Sequence, residues 1–491
     1  MIRQNTFYLL KLAYYSIDRI LLTFFGGIGR QKFIRLSHQV RSRLFPYHGD
    51  QLRSAAEIGS TPDNSVWLPP NIPAWVLAEM VDLCFEVDPE IYPSREFISN
   101  CNFCYFPLVT RPWHVYQEVI KLCKSTSYTH AFMIPWLKRG GGDLVALHHI
   151  HLVANNKHSK VLVLLTEPSK SPWLEKIPNH VDVIDYSAFL KLGISEIDHL
   201  NILSRLIMQL NVNVLHIINS RHAWEMLARF GKALSHNTKI FASLYCDDLD
   251  EVNRPVGYAR RYLYRCYKNF DFIFSDNTRY PLELSRTYGF DTSLFVSLRN
   301  PTEITTRNRR PKGRRVLWAG RLDRQKRPDI LLSIAIAIPD IDFFVYGEPI
   351  LNKKGASSLL RKLGGQENIH LMGEFDGSDT LPFDEFPAYL YTSQWDGLPN
   401  LILHAAASSI PIVASCVGGV GDVVTEERGF PIYETENISE YVSRLLFALD
   451  NPLIAEARAI KAQEYVMQNH TWEQFSESLQ SVPGYLPRTI I

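Results

Sequence analysis

Tyr391 to Val424 reads YTSQWDGLPNLILHAAASSIPIVASCVGGVGDVV, and the order in which its residue types change decides the fold. Trp395-Asp396-Gly397-Leu398 has the composition of a turn. Pro399 falls where a helix accepts proline, in the first turn, because the amide it lacks would have had no helical partner. The apolar, alanine-rich run Asn400 to Ser408 then predicts a helix, with Asn400 and His404 one turn apart on a common polar stripe. Ile410-Pro411-Ile412-Val413-Ala414 is short, apolar and β-branched, the character of a strand covered on both faces. Beyond Ser415, Gly418-Gly419-Val420-Gly421 permits a sharp turn and close approach to a ligand, and Asp422 can start a second helix. Ligands of parallel sheets bind outside the carboxyl ends of the strands, so the two helix starts would converge on one crevice.

The same alternation extends in both directions. Upstream, strands are expected at His130–Pro135, Val161–Leu165, Val181–Ile184, Val214–Ile218, Lys239–Leu244 and Phe272–Ser275. The first is followed by Gly140-Gly141-Gly142-Asp143 and a helical run Leu144–Val153, and Lys239–Leu244 by the acidic loop Tyr245–Glu251, which contains Asp247. Closer to the opening stretch, Arg315–Ala319 predicts a strand running directly into Gly320-Arg321-Leu322-Asp323-Arg324-Gln325-Lys326. Phe343–Gly347 and Ile369–Gly373 are strands ending in glycine, Phe386–Tyr391 leads into the opening stretch, and Ser439–Val466 is helical before a last helix from Trp472. Thr302–Arg315, with six basic residues from Arg307 onward, reads as the linker between two sheets, its charges ordinarily solvated.

The whole chain sets bounds on function. Its 491 residues allow about three domains, and 46% hydrophobic with 21% charged residues is a globular balance with ample core. A net charge of +1 offers no global attraction for nucleic acid, so any anion site must be local. Seven scattered cysteines and no cleavable-looking leader fit a reducing compartment, and the lone pair Cys101/Cys104 lacks the second pair a zinc site would use. His148, His149 and His151 do not share one helix face with a carboxylate, so no metal site is expected. Residues 7–43 are amphipathic and basic; they fit either a membrane surface or packing on the protein body. Residues 1–125 form an extension without an assignable chemistry.

Asp396–Val424 resembles the donor-site signature of the retaining GT-B glycosyltransferases of family 4: two glutamates eight positions apart around Gly-x-Pro, then Ala-x-Ala and a Val-Gly-Gly loop. Asp396 stands in place of the first glutamate and His404 in place of the second. Gly320–Lys326 is similar to the family's Gly-Arg-Leu-x-x-x-Lys segment, Gly140–Gly142 to its first acceptor-side βα loop, and Leu298-Arg299-Asn300-Pro301 to its hinge, with proline for glycine. The family often carries a His-Asp pair near Asp247. The resemblance spans about residues 128–480. It implies an α/β GT-B fold of two facing doubly wound domains: an acceptor-side domain at 126–301, a donor domain at 302–470, and a terminal helix at 471–491 that crosses back.

The implied chemistry is sugar transfer from a nucleotide-sugar to a glycan or lipid-linked hydroxyl in polysaccharide assembly, with no cofactor, metal or nucleic acid, in the cytoplasm or at the inner face of the membrane. The resemblance casts Arg321 and Lys326 on the diphosphate and Asp396 near the donor sugar. Gly320, Gly347, Gly397, Leu398, Pro399, Asn400, His404, Gly418 and Gly419 would line the donor, His404 at the ribose, with Gly140, Gly141, Gly142 and Asp247 on the acceptor side. Independent physics favours the cations: a departing diphosphate gathers charge, so fixed positive groups stabilise the transition state more than the ground state. Three alternatives stay open. A nucleotide-sugar 2-epimerase shares the fold, a non-catalytic sugar-nucleotide binder would fit the loss of both glutamates, and an oxidoreductase would need a G-x-G-x-x-G loop that the chain lacks.

Overall fold

The structure, a computed structural model, describes residues 74–93, 111–303, 311, 313–348 and 353–486. The chain divides into two units, Met1–Tyr105 and Phe106–Ile491. In the first, the helix Ala74–Glu86 leads into a short turn at Pro89–Ile91, and the buried Cys84 thiol reaches the Pro89 carbonyl at 3.7 Å. The basic stretch 7–43, the pair Cys101/Cys104 and most of the expected linker lie outside the described residues.

The expected extension ends too late at residue 125. A helix at Arg111–Leu122 buries Val115, Tyr116 and Val119 and packs against the helix Glu196–Gln209 within the second unit. Its apolar stripe was hidden among turn-forming residues.

The second unit holds two parallel sheets. In the first, β1 (His130–Ile134), β2 (Val161–Leu165), β3 (Asp182–Asp185), β4 (Val214–Ile218) and β5 (Lys239–Ser243) are followed by a small antiparallel hairpin, β6 (Asp248–Leu249) and β7 (Pro255–Val256). β8 (Phe272–Ser275) and β9 (Phe295–Ser297) complete the sheet, in the order β3-β2-β1-β4-β5-β8-β9. The second sheet takes β10 (Arg315–Ala319), β11 (Asp342–Tyr346), β12 (Ile369–Gly373), β13 (Ala388–Tyr391), β14 (Ile412–Ser415) and β15 (Phe430–Ile432), in the order β12-β11-β10-β13-β14-β15. In each sheet the order reverses beside the first strand, which places a switch-point crevice at the carboxyl ends of β1/β4 and β10/β13. Every residue of β1, β2 and β4 is buried, His130 in β1 and His216 in β4 included, as expected of strands covered on both faces. The hairpin, β9 and β15 escaped the sequence reading because two- and three-residue strands carry no periodicity.

The first core gathers Phe132, Val163, Phe241 and Phe274 and also takes in Phe475, Leu479, Val482 and Tyr485. The helix Trp472–Ser481 therefore returns from the second sheet to the first. At the crossing, the Thr302 amide donates to the His470 carbonyl (2.9 Å) and His470 Nδ1 lies 2.9 Å from the Asn300 carbonyl. The two connections between the sheets run side by side and fix each other.

Candidate donor site

Strand β10 delivers the chain to the turn Gly320–Arg327, and the next strand sets that turn's position. The Gly320 amide donates to the Tyr346 carbonyl (3.0 Å), and Gly347 follows with φ of 140°. A Cβ at 347 would sit 1.8 Å from the Gly320 oxygen, so only glycine lets the two loops touch.

From the other side, β13 delivers the loop that contains Asp396, and several bonds join the two motifs. The Gln394 amide donates to the Gln325 carbonyl (2.8 Å), Gln325 Nε2 to the Trp395 carbonyl (3.0 Å), and Thr392 Oγ1 to the Lys326 carbonyl (2.7 Å). Lys326 Nζ thereby meets the Asp396 carboxylate in an ion pair, and the Tyr391 hydroxyl donates to the same oxygen. Their side chains keep 13% and 16% of their exposure, so salt screens this pair less than a surface one. Arg321 is more open: its Nε lies 3.0 Å from Asp323 and it also donates to Gln325.

The glycines have different duties from those expected. Gly418, at φ of 49°, comes so near the Asp396 loop that a Cβ would lie 1.9 Å from the Asp396 carbonyl oxygen. The Gly419 amide, expected to face a ligand, donates to the Gly397 carbonyl (2.9 Å). Gly418-Gly419 thus braces the Asp396 loop from behind. Pro399 is the N-cap of the helix Asn400–Ala407 rather than a residue of its first turn, and its ψ of 135° is the extended backbone of that position; the Leu398 amide before it donates to Asp276 Oδ2 (2.9 Å). Asp422 sits within the short helix Val420–Val423 rather than before it.

Gly141 and Gly142 form the first turn of the helix Gly141–Ala154, which starts three residues earlier than expected, with Gly140 as its N-cap. A Cβ on Gly140 would lie 2.7 Å from Asp143 Oδ2, and one on Gly142 2.9 Å from Asn219 Nδ2. The Gly141 carbonyl accepts from Asn400 Nδ2 (3.1 Å), which joins the helix after β1 to the helix after β13.

Asp247 does not present a free carboxylate. It is buried, accepts from Tyr280 Oη (2.6 Å) and pairs with Arg260 Nε (2.5 Å). Its partners come from later segments, which no local pattern reveals. The structure instead brings two unmarked carboxyls to the crevice. Burial raises Asp143 to about 7, opposed by hydrogen bonding from the Lys138 backbone and by the nearby charges of Lys138 and Arg321. Burial also raises Asp276 to about 7, against the pull of the Leu398 amide. The usable signal for Asp276 was its place directly after the expected strand Phe272–Ser275.

His404 lines a narrow recess of about 10 Å3 with Ser378, Asp379, Leu381, Phe383, Asp384 and Ser408. Burial lowers its pKa, opposed by Asp379, so the imidazole is neutral near pH 7. A neutral imidazole can donate one hydrogen bond and accept one. His404→Ala is expected to weaken donor binding by about 0.5 to 1.5 kcal/mol, and His404→Glu to preserve or tighten it. Calorimetric titration with the donor checks this; unchanged affinity in both variants removes His404 from the ribose.

His149 and His216 both reach Tyr485 Oη with Nδ1 (2.8 and 2.9 Å), His130 Nε2 reaches the Tyr485 carbonyl (2.7 Å), and His151 Nε2 that of Lys176 (2.8 Å). His149, His216 and His130 hold the terminal segment, and His151 ties its own helix to Lys176. Among the described residues no group of three or more His, Cys, Asp or Glu is placed to hold a metal ion.

Residues 313–451 match the family model of Glycosyl transferases group 1. That span contains both motifs that meet at Lys326 and Asp396. The chain is 27% identical over 185 residues to the O-antigen biosynthesis glycosyltransferase WbnH of Escherichia coli, covering 36% of this chain and 52% of that protein. It is 25% identical over 157 residues to the poly(ribitol-phosphate) alpha-N-acetylglucosaminyltransferase of Staphylococcus aureus strain COL, covering 31% of each. The chain thus spans about half the length, or less, of these curated relatives. Among solved structures it is similar to HepE of Anabaena in complex with UDP and glucose, at a TM-score of 0.58 and 15% identity over 71% of this chain and 97% of that one. The sucrose-phosphate synthase of Thermosynechococcus elongatus gives a TM-score of 0.57 at 15% identity, over 71% and 96%. At such identities the likeness concerns the fold, and the fold is GT-B.

Proposed function

We propose that the chain is a retaining glycosyltransferase that moves a sugar from a nucleotide-sugar donor to a hydroxyl of a glycan or lipid-linked acceptor in surface polysaccharide biosynthesis. The observation that carries this reading is the meeting of Lys326 and Asp396 at the crevice ends of β10 and β13. Without a donor, each neutralises the other. A diphosphate competes for Lys326 and a sugar hydroxyl for Asp396, so donor entry exchanges one ion pair for two substrate contacts. In the reaction the bond from the anomeric carbon to the phosphate oxygen breaks, and the acceptor oxygen bonds to that carbon on the same face. The departing phosphate takes the acceptor proton, so no side chain need be a strong base. Lys326 and Arg321 stabilise the charge gathered on the diphosphate. The named activities of the bacterial relatives, and UDP with glucose in the Anabaena structure, fit this donor class.

The test is incubation of the full chain with a panel of nucleotide-sugars and glycan or lipid-linked acceptors. Nucleoside diphosphate release and a product with the donor's anomeric configuration are expected. An epimerised nucleotide-sugar, or binding without release, would point to the two alternatives that share this fold. Turnover is expected to persist in EDTA, because the fixed cations can do the charge neutralisation a metal does elsewhere. Loss in EDTA with recovery in magnesium or manganese overturns the cation assignment.

No helix among the described residues is long and apolar enough to cross a membrane. We place the protein in the cytoplasm with residues 7–43 as a peripheral membrane contact. A variant lacking residues 1–43 should sediment less with anionic liposomes and keep its transfer to soluble acceptors; equal sedimentation contradicts the contact.

A further inference from the structure

The acceptor-side domain reaches the donor loop through a carboxylate that no motif marks. Asp276 directly follows β8 at the crevice end of the first sheet and is 8% exposed. Its Oδ2 accepts from the Leu398 amide at 2.9 Å and its Oδ1 from Asn277 Nδ2 at 2.7 Å. A Cβ on Gly397 would fall 2.6 and 2.7 Å from those two oxygens. The carboxylate therefore occupies the space that makes residue 397 a glycine.

Its neighbour extends the contact. Asn277 Nδ2 also donates to the Tyr245 carbonyl (3.0 Å), and Asn277 Cβ lies 2.9 Å from where a Cβ on Gly419 would stand. Asp276 and Asn277 thus touch both layers of the donor site: Gly397-Leu398 in front, and behind it the glycine loop that supports the Asp396 carbonyl. Burial of a carboxyl costs free energy unless its oxygens are satisfied, and here the Leu398 amide and Asn277 satisfy them. The carboxyl pKa of about 7 reflects that burial, and the nearby Asp396 charge adds to it.

We propose that Asp276 is a positioning residue: by holding Gly397-Leu398 from the acceptor-side domain, it adds a second restraint to the loop that the bonds from Gln325 and Lys326 already place, so that the Asp396 loop is fully held only when the two domains meet. This rests on the reading of Asp396 and Lys326 as the donor site. In catalysis it would couple closure over the acceptor to assembly of the group beside the donor sugar. It therefore acts on turnover more than on donor affinity.

The test uses the full chain with Asp276→Ala, Asp276→Asn, Gly397→Ala and the double variant Asp276→Ala/Gly397→Ala. Hydrogen exchange of the peptide spanning residues 394–402 is read beside nucleoside diphosphate release from whichever nucleotide-sugar the wild type uses. Asp276→Ala is expected to speed exchange of that peptide about tenfold and lower kcat about tenfold, with donor KM within about twofold and exchange of β1 unchanged. Asp276→Asn keeps an oxygen for the Leu398 amide but turns its NH2 toward the donating Asn277 Nδ2, and should recover part of both. Gly397→Ala should reproduce the defect with Asp276 intact, and removing the Asp276 carboxylate in the double variant should not worsen it, because the colliding oxygens are gone. This arm also stands if Asp276→Ala alone folds poorly.

Unchanged exchange in Asp276→Ala overturns the proposal whatever the activity. So does faster exchange with unchanged kcat, since the contact would then be structural alone. If the wild type itself releases no nucleoside diphosphate, the transferase reading fails on that control, and the exchange data still decide whether Asp276 holds the loop.

Discussion

Lys326→Ala is expected to lower turnover about a hundredfold, the largest loss of any single substitution in the crevice. Two effects combine. The variant loses the cation nearest the loop of Asp396, worth about 1.5 to 3 kcal/mol as a charged hydrogen bond and more in the transition state than in the ground state. It also leaves the Asp396 carboxylate, 16% exposed, with the Tyr391 hydroxyl but no counter-charge. Asp396→Asn in the same background should restore thermal stability without restoring turnover, which separates the structural part from the chemical part. Arg321→Ala should cost less, about tenfold, because Arg321 is 39% exposed and already shared with Asp323 and Gln325. Steady-state kinetics on the folded variants checks both values; a Lys326→Ala enzyme within twofold of wild type removes this residue from the diphosphate site.

The second large effect concerns acid. Burial lowers His130 and His470 to about 4 and His148 and His149 to about 3, and lowers His216 well below its ordinary value. In the unfolded chain each takes a proton near 6.5. Below that pH the unfolded state binds more protons than the folded one. The stabilisation from these neutral rings is therefore complete above 6.5 and is lost as pH falls toward their folded values. Each ring contributes roughly up to 1.4 kcal/mol per pH unit in that window, against a total stability of about 5 to 15 kcal/mol.

Four of these rings bear on the terminal segment. His149, His216 and His130 hold Tyr485, and His148 meets Trp472 edge to face. The melting temperature should fall steeply from pH 7 to 5, with exchange rising first in the helix Trp472–Ser481. A flat melting profile over that range contradicts the assignment of these rings as neutral supports.

The sequence was most legible where one segment carries its own pattern. Arg315–Ala319 followed by Gly320–Lys326, and the loop and helix around Asp396 to Ala407, both appear where their apolar runs and turn residues place them. Local pattern could not show which groups the fold would use against each other. Asp247 looked open because Arg260 and Tyr280, its partners, lie on later segments. Gly418 and Gly419 have the composition of a ligand loop, yet their missing side chains make room for the backbone of Asp396 to Leu398. Gly140–Gly142 read as a loop because glycine disfavours helix interiors, but helix starts tolerate it. Asp276 carried no motif because its duty exists only between two domains.

The most direct measurement of the central claim is a thermal-shift screen of the full chain against nucleotide-sugars, run beside the Arg321→Ala/Lys326→Ala variant. A donor at a hundred times its dissociation constant adds about 2.7 kcal/mol to the folded state. The account predicts that at least one nucleotide-sugar raises the melting temperature of the wild type and leaves the folded double variant unmoved. No response from the wild type to any nucleotide-sugar, or an equal response from the double variant, would contradict it.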